Sequence, residues 1–177
     1  MMTNLIYDRT PEDVAEVRRL LAKLDPETGD GLTAAEQAKW DAGLKGAYNF
    51  TDLNRVESAV KLLAAALTSA GYPVEITPVL KGSKSEDREW QEGDIVRRAQ
   101  WATYLDNVQR LRDAYYTLAE TGALPKPEDK LGYVGANNIE KVLADIDLLL
   151  DGMKSIYRRA GTFTAGGSYT RQMIRSI

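Results

Sequence analysis

The chain contains no cysteine and no histidine. Without cysteine there is no disulfide, no thiol nucleophile and no cysteine-ligated metal site. Histidine is the most frequent general base and the commonest transition-metal ligand, so its absence removes that chemistry as well. Only aspartate, glutamate, lysine or tyrosine chemistry would remain for catalysis. We therefore expect a protein that is not an enzyme, with no catalytic residues, no cofactor and no metal ion.

A strong charge of one sign and a long apolar run are also missing. Lysine and arginine number 23 against 26 aspartate and glutamate residues, a net charge of −3, and the densest basic groups are only pairs. We therefore expect no nucleic-acid partner. No apolar run is long enough to cross a bilayer, and the start MMTNLIYDRT lacks a signal-peptide pattern, so neither a membrane partner nor secretion by the usual route is expected. A chain of 177 residues is long enough for one domain with a real core.

Three stretches carry apolar residues at alternating spacings of three and four, which is typical of a helix packed nearly parallel to a neighbour. The first is Thr51–Gly71, with Thr51 as the predicted N-cap and Gly71 as the left-handed residue that ends the helix. The second runs from about Val96 to Ala119 and the third from Asn137 to Tyr157. Aromatic residues at such spacing are more typical of a core than of a ligand cage. The predicted core seam consists of Leu53, Val56, Val60, Leu63, Leu67, Trp101, Tyr104, Val108, Leu111, Tyr115, Ile139, Leu143 and Ile146.

Two shorter helices precede these three. The run Thr10-Pro11-Glu12-Asp13 has a capping threonine, proline at the first helical position and acids in the first turn, which predicts a helix start. That helix should end near Asp25-Pro26, because the residue before proline is disfavoured in helical geometry. A second short helix is predicted from Ala34 to about Leu44.

The loop from Asp25 to Glu36 has acids spaced somewhat like those of an EF-hand calcium loop. Such a loop needs glycine at its sixth position, but here Gly29 is fifth and Asp30 sixth. Thr33 and Glu36 fit a capping box that begins the next helix. We favour the capping box, with a calcium site as the alternative.

Two segments have an extended pattern. Pro73 to Leu80 alternates apolar side chains, and Pro78 restricts it to an edge strand or arm. Asn4 to Tyr7 is a short apolar run that fits an edge strand or a docking arm. The charged stretch 81–94 is predicted as a solvated loop anchored to the core by Trp90, although an exposed tryptophan also suits partner binding.

The predicted fold is therefore mainly α: a helical bundle of about three long and two short helices, with a small β-like arm and an extended C-terminal tail. Residues 1–160 form the bundle domain, within which 72–95 supply the arm and loop, and residues 161–177 form the tail. The tail is rich in glycine, serine and threonine, and we expect it either to dock on a partner or to be disordered. Its predicted partner-binding residues are Phe163, Tyr169, Arg171, Met173 and Arg175.

The first and third long helices share the pattern N-x-[VI]-E-x-x-[VL]-x-x-[LI], beginning at Asn54 and, 83 residues later, at Asn137. Either a duplicated helical unit or common helix patterning explains the match. The glutamates Glu57 and Glu140 also suggest paired carboxylates of a metal site, but such sites usually need Glu-x-x-His. We instead interpret them as first-turn acids placed favourably near a helix N-terminus.

Four stretches together resemble a known family. They are DRTPEDVAEV at 8–17, W-x-x-GLKGAYNFTDLNRVE at 40–57, W-x-x-x-D followed by Y-L-x-N-V-x-x-L-R within 90–112, and A-N-x-I-E-K-V-L at 136–143. In this order they are similar to a family of small structural virion proteins, associated with the tail and baseplate, from tailed phages and prophages of Gram-positive bacteria. The ending Gly161 to Gly166 departs from the ending of that family.

The resemblance implies a structural subunit in the tail, baseplate or fibre-attachment region of a phage-like virion, assembled in the bacterial host cytoplasm. It implies other virion proteins as partners, a homo-oligomer in a symmetric assembly, and no small-molecule substrate. The alternatives are a head–tail connector or capsid decoration protein, and a host-directed protein-binding module. An enzyme that uses Asp, Glu, Lys or Tyr comes third.

Overall fold

The structure, a computed structural model, describes residues 4–82 and 85–160, with the side chains of the last five omitted. It contains α1 (Pro11–Lys23), α2 (Ala34–Asp41), α3 (Phe50–Ser69), α4 (Arg98–Ala114) and α5 (Tyr133–Ala160). The fold is mainly α, with three long and two short helices, as the sequence predicted. The described residues contain no strand, and Lys81 and Glu86 form an isolated antiparallel bridge. The predicted β-like arm is extended chain rather than sheet.

The three long helices begin at the same end of the molecule. Just before α3, the Tyr48 hydroxyl lies 2.6 Å from the hydroxyl of Tyr104, which is in the first half of α4. The guanidinium of Arg9 bonds both Asp52 in the first turn of α3 and Glu140 in the first half of α5, at 2.9 and 2.8 Å. These contacts join the N-terminal parts of all three helices.

The same three helices also come together at their C-terminal ends. The ring of Tyr72, just after α3, lies 4.9 Å from the ring of Tyr115, just after α4. The Tyr115 hydroxyl is 3.8 Å from the sulfur of Met153, in the last third of α5. The helices therefore run in parallel. Each connection, 70–97 and 115–132, must return along the length of the bundle, which requires extended chain rather than a short turn.

The predicted seam residues pack between these parallel helices. All of them are buried except Trp101 and Tyr115, which are partly buried against the same core. Ala59 and Ala64 of α3 are buried as well, and their small side chains allow the neighbouring helices to approach closely. Full burial of large aliphatic residues is the main source of the stability of this core.

The two ends of α3 test the predicted caps. The prediction of Thr51 as the N-cap is wrong, because the cap is Asn49. The Asn49 side-chain oxygen accepts the Thr51 amide at 2.8 Å, and the Asp52 carboxylate accepts the Asn49 amide at 2.9 Å. Several capping residue types stand within four positions here, so sequence alone did not decide between them. Gly71 is confirmed as the terminating residue, with φ of +93° and an amide 3.1 Å from the carbonyl of Thr68.

Other predicted helix ends differ from the structure. The helix predicted over 96–119 occupies only Arg98–Ala114, because the Leu118 amide leaves the helical pattern and donates to Asp145 at 3.3 Å. α2 ends at Asp41 rather than near Leu44, and Gly43 follows with φ of +86°. α5 begins at Tyr133, four residues before the predicted start.

Candidate functional site

Two equivalent polar clusters hold extended segments against the long helices. In the first, which we call the α3 latch, the Asn54 side chain accepts the Trp90 amide at 2.7 Å and donates to the Trp90 carbonyl at 2.9 Å. One turn further along α3, Glu57 accepts the indole N–H of Trp90 at 2.7 Å and the ammonium of Lys81 at 2.6 Å. Trp90 is only 2% exposed, so it anchors its segment to the core.

The second cluster, the α5 latch, repeats this arrangement with another residue. The Asn137 side chain accepts the Arg9 amide at 3.0 Å and donates to the Arg9 carbonyl at 2.8 Å. One turn later, Glu140 accepts the Arg9 guanidinium at 2.8 Å. In both latches, therefore, asparagine binds the backbone of one extended residue and glutamate binds the side chain of that same residue.

The latches occupy equivalent places in their helices. Asn54 and Asn137 are each the fifth residue of a helix, and Glu57 and Glu140 are each the eighth. A spacing of three places the two side chains on one helical face. The interpretation of both glutamates as first-turn acids is wrong, since they lie in the third turn and bind the inserted residues. The shared sequence pattern therefore corresponds to a shared structural task.

α4 has a related contact of its own. The Asn107 side chain accepts the Thr77 amide and donates to the Thr77 carbonyl, both at 2.8 Å. An asparagine amide offers the same donor and acceptor as a peptide group, so it satisfies backbone groups that a neighbouring strand would otherwise satisfy. This contact explains why the run predicted as a strand at 73–80 is extended without belonging to a sheet.

The α5 latch is the centre of a buried ionic network. Arg55 bonds both oxygens of Glu140, at 3.0 and 2.8 Å, and also contacts Asp52. Arg9, Asp52 and Glu140 are at most 4% exposed. The Ile6 amide donates to the same Glu140 carboxylate at 2.6 Å. Two guanidinium groups thus face two carboxylates with their hydrogen bonds satisfied, which is the condition under which buried charge is tolerated.

Aromatic groups border this network. The Arg9 guanidinium lies 5.3 Å from the centre of the Tyr48 ring, a cation–π distance. Burial raises the pKa of the Tyr48 and Tyr104 hydroxyls well above the ordinary tyrosine value, so both remain protonated at neutral pH. Their mutual hydrogen bond therefore joins two neutral groups.

The second connection is also held by polar side chains of α5. Asp145, which is 1% exposed, accepts the Leu118 amide and the Thr121 hydroxyl and pairs with Lys141. Asn138 donates to the carbonyl of Ala123 at 2.8 Å. Each extended segment that is described is therefore fixed by polar side chains of the long helices.

The arrangement holds backbone and charged groups in place. Throughout residues 4–82 and 85–160, every buried side-chain nitrogen or oxygen has a hydrogen-bond partner. In the same range no group of three or more acidic side chains is placed to hold a metal ion. In the 25–36 loop, Glu36 completes the predicted capping box with Thr33 and binds Arg19 and Lys23.

Sequence reasoning predicted Trp90 as the anchor of its loop, and its burial confirms this, but it missed the two buried cations of the latches. Arg9 and Lys81 are 3% and 1% exposed, although charged residues in short extended segments ordinarily indicate solvent. The sequence did contain one signal, the two Asn-x-x-Glu patterns beside the apolar seams. A glutamate next to a buried seam needs a hydrogen-bond or charged partner, so each pattern indicated that another segment packs there. The predicted partner-binding residues Phe163, Tyr169, Arg171, Met173 and Arg175 lie outside the described residues.

Comparison with known proteins gives no relative: no family model, curated protein or solved structure matches the chain. Among the described helices, none is long and apolar enough to span a membrane.

Proposed function

We propose that the protein is a non-enzymatic structural subunit of a phage-like virion, located in the tail, baseplate or fibre-attachment region. The observation that supports this proposal best is the position of the residues that carry the family resemblance. Arg9, Asn54, Trp90 and Asn137 belong to four separate motifs, yet they meet pairwise in the two latches. The four short motifs therefore describe one structural system, which makes their joint occurrence more specific than any one of them.

The architecture also suits a part of an assembly. Because the three long helices are parallel, the two ends of the bundle differ chemically and in the segments attached to them. The arm at 4–10 is held at the end where the helices begin, whereas α5 ends at Ala160 and leads into 161–177 from the opposite end. A body with two unlike ends supports repeated, directional contacts between copies and with neighbouring subunits.

The direct test is to purify particles of the phage or prophage that the proposal implies. We expect the protein to copurify with intact particles in a fixed stoichiometry, and electron microscopy of particles without the gene to show missing density in the tail region. Intact, infectious particles with no missing density, together with protein found only in the soluble fraction, would contradict the proposal.

A second test concerns the attachment residues of the tail. Replacing Arg171 and Arg175 with alanine should reduce incorporation of the protein into particles, because arginine is enriched among the residues that anchor protein interfaces. The matched control replaces the exposed pair Arg97 and Arg98, which lies on the bundle. If both double variants are incorporated equally well, these arginines of the tail do not attach the protein to the particle.

A further inference from the structure

A cavity of about 470 Å³ lies beside the α5 latch and shares Arg9 with it. Its walls come from the arm before α1, from α1, from the turn before α3, and from the loop before α5 with the first turn of that helix. The side chains that matter for the inference are Val14, Arg18, Tyr48, Lys130 and Leu131. The volume is within the range of small-molecule pockets in proteins.

The charged lining of this cavity is entirely positive. Arg9, Arg18 and Lys130 line it, and no aspartate or glutamate does. The charge of Arg9 is compensated in the α5 latch. Arg18 and Lys130 make no hydrogen bond or ion pair with any residue in the described ranges 4–82 and 85–160.

The neighbouring residue in α1 shows that an unpaired arginine is not general on this helix. Arg19 bonds Glu16 at 2.8 Å and Glu36 at 2.6 Å, whereas Arg18 points to the cavity side without an acidic partner. The closest acids in sequence, Glu16 and Asp129, are already engaged. Glu16 pairs with Arg19 at 2.8 Å, and Asp129 accepts the Lys126 amide at 3.2 Å.

The start of α5 strengthens the positive potential. Gly132 and Tyr133 line the cavity where this 28-residue helix begins, and its first turn contains no acidic residue. The free amides and the dipole of a helix N-terminus favour a negative group nearby. This effect adds to the two unpaired cations and acts in the same direction.

We propose that the cavity binds a small organic molecule that carries a phosphate or carboxylate group. The anionic group lies between Arg18 and Lys130 near the first turn of α5. The apolar part of the molecule packs against Val14, Leu131 and the tyrosine rings. The partly enclosed shape favours a small ligand over the acidic side chain of a protein partner, because a protein surface needs a broad accessible face.

The test uses phenyl phosphate and benzoate as probes, with inorganic phosphate and benzyl alcohol as partial probes. Titrations followed by amide NMR shifts at low salt should show saturable binding of at least one aromatic anion, with shifts at Arg18, Lys130 and Tyr133. Inorganic phosphate should bind more weakly, and benzyl alcohol should not bind. The double variant R18Q/K130Q should lose about tenfold or more in affinity, the scale expected for lost charge-assisted hydrogen bonds.

The control variant is K61Q/K154Q, which removes two exposed cations that line neither this cavity nor the neighbouring one that shares Tyr48 and Leu131. It should bind the probes with unchanged affinity. The proposal is overturned if neither aromatic anion binds saturably at millimolar concentration, if both double variants bind equally well, or if only an acidic peptide binds. All four substituted residues are exposed, and circular dichroism checks that each variant is folded.

Discussion

The two latches use the same helical pattern to hold chemically different residues. In the α5 latch the inserted residue is Arg9, whose charge enters a buried network with Asp52 and Glu140. In the α3 latch it is Trp90, which contributes a buried ring and one indole hydrogen bond. The asparagine contact to the backbone is common to both. The inserted side chain therefore determines whether a latch depends mainly on charge or on apolar packing.

The latches also differ in what is released when they open. Trp90 lies in a connection between two bundle helices, α3 and α4, whereas Arg9 lies in the segment that precedes α1. Opening the α3 latch loosens a closed loop, and opening the α5 latch frees the arm at 4–10. Loss of the same contacts should thus have different local consequences in the two places.

The largest effect is expected from Glu140→Ala. The change leaves Arg9 and Arg55 without their main buried partner and removes the acceptor of the Ile6 amide. We expect a loss of about 3–5 kcal/mol in the free energy of unfolding, as is typical when one partner of a buried ion pair is removed. Urea denaturation measures it.

The control is Glu128→Ala, because Glu128 is exposed and its substitution should leave the unfolding free energy nearly unchanged. A loss below about 1 kcal/mol for Glu140→Ala would mean that the network contributes little beyond its own desolvation cost.

Trp90→Ala tests the apolar latch and should cost about 3–4 kcal/mol, since it leaves a cavity where a large buried ring was. Trp90→Phe keeps most of the ring but removes the indole donor to Glu57. It should cost about 1–2 kcal/mol, the range for a buried polar group that loses its partner. If both variants lose the same free energy of unfolding, the hydrogen bond of Trp90 rather than its apolar packing stabilises the α3 latch.

The matched pair Asn54→Ala and Asn137→Ala tests the contact that the latches share. Each removes two hydrogen bonds to one backbone residue, so each should cost about 1–2 kcal/mol. Hydrogen exchange should accelerate at Trp90 in the first variant and at Arg9 in the second. Only Asn137→Ala should make the 4–10 arm sensitive to limited proteolysis. Equal proteolysis of the arm in both variants would show that the α5 latch is not what protects residues 4–10.

The helices of the two latches could be predicted from the sequence because their apolar spacing is long and regular. The core positions follow from that spacing too, as Val56 and Ile139 show with full burial. The parallel direction of the helices could not be predicted, because it depends on long connections whose path local patterning does not specify. Pro73 to Leu80 illustrates this: its alternation predicted a strand, but its backbone partner is the side chain of Asn107.

Only the helical side of each latch could be predicted from the sequence. The repeated Asn-x-x-Glu pattern marked Asn54 and Asn137, but nothing local indicated that Trp90 and Arg9 are the residues they hold. These contacts join positions 36 and 128 residues apart, so they depend on the tertiary arrangement. Buried cations such as Lys81 are missed for the same reason, since their partners lie on another element.

The smallest effect is expected from salt and acid, which should distinguish the buried α5 latch from the exposed pairs between α1 and α2. Hydrogen bonding to Arg19 lowers the pKa of Glu16 to about 2, and the Thr33 amide, followed by Arg19, lowers the pKa of Glu36. A lowered folded-state pKa contributes stability above the unfolded value, and that stability is lost as pH falls through the folded value. We therefore expect the α1–α2 contact to loosen between about pH 4.5 and pH 2.

At neutral pH, salt of about 1 M should also loosen this contact but leave the α5 latch protected, because screening acts mainly on exposed charges. Hydrogen exchange of the α1, α2 and α5 amides measures both responses, and Arg19→Gln should reduce the one at α1–α2, where the Lys23–Glu36 pair remains. Equal salt sensitivity of the α5 and α1–α2 amides would show that burial does not separate the two networks.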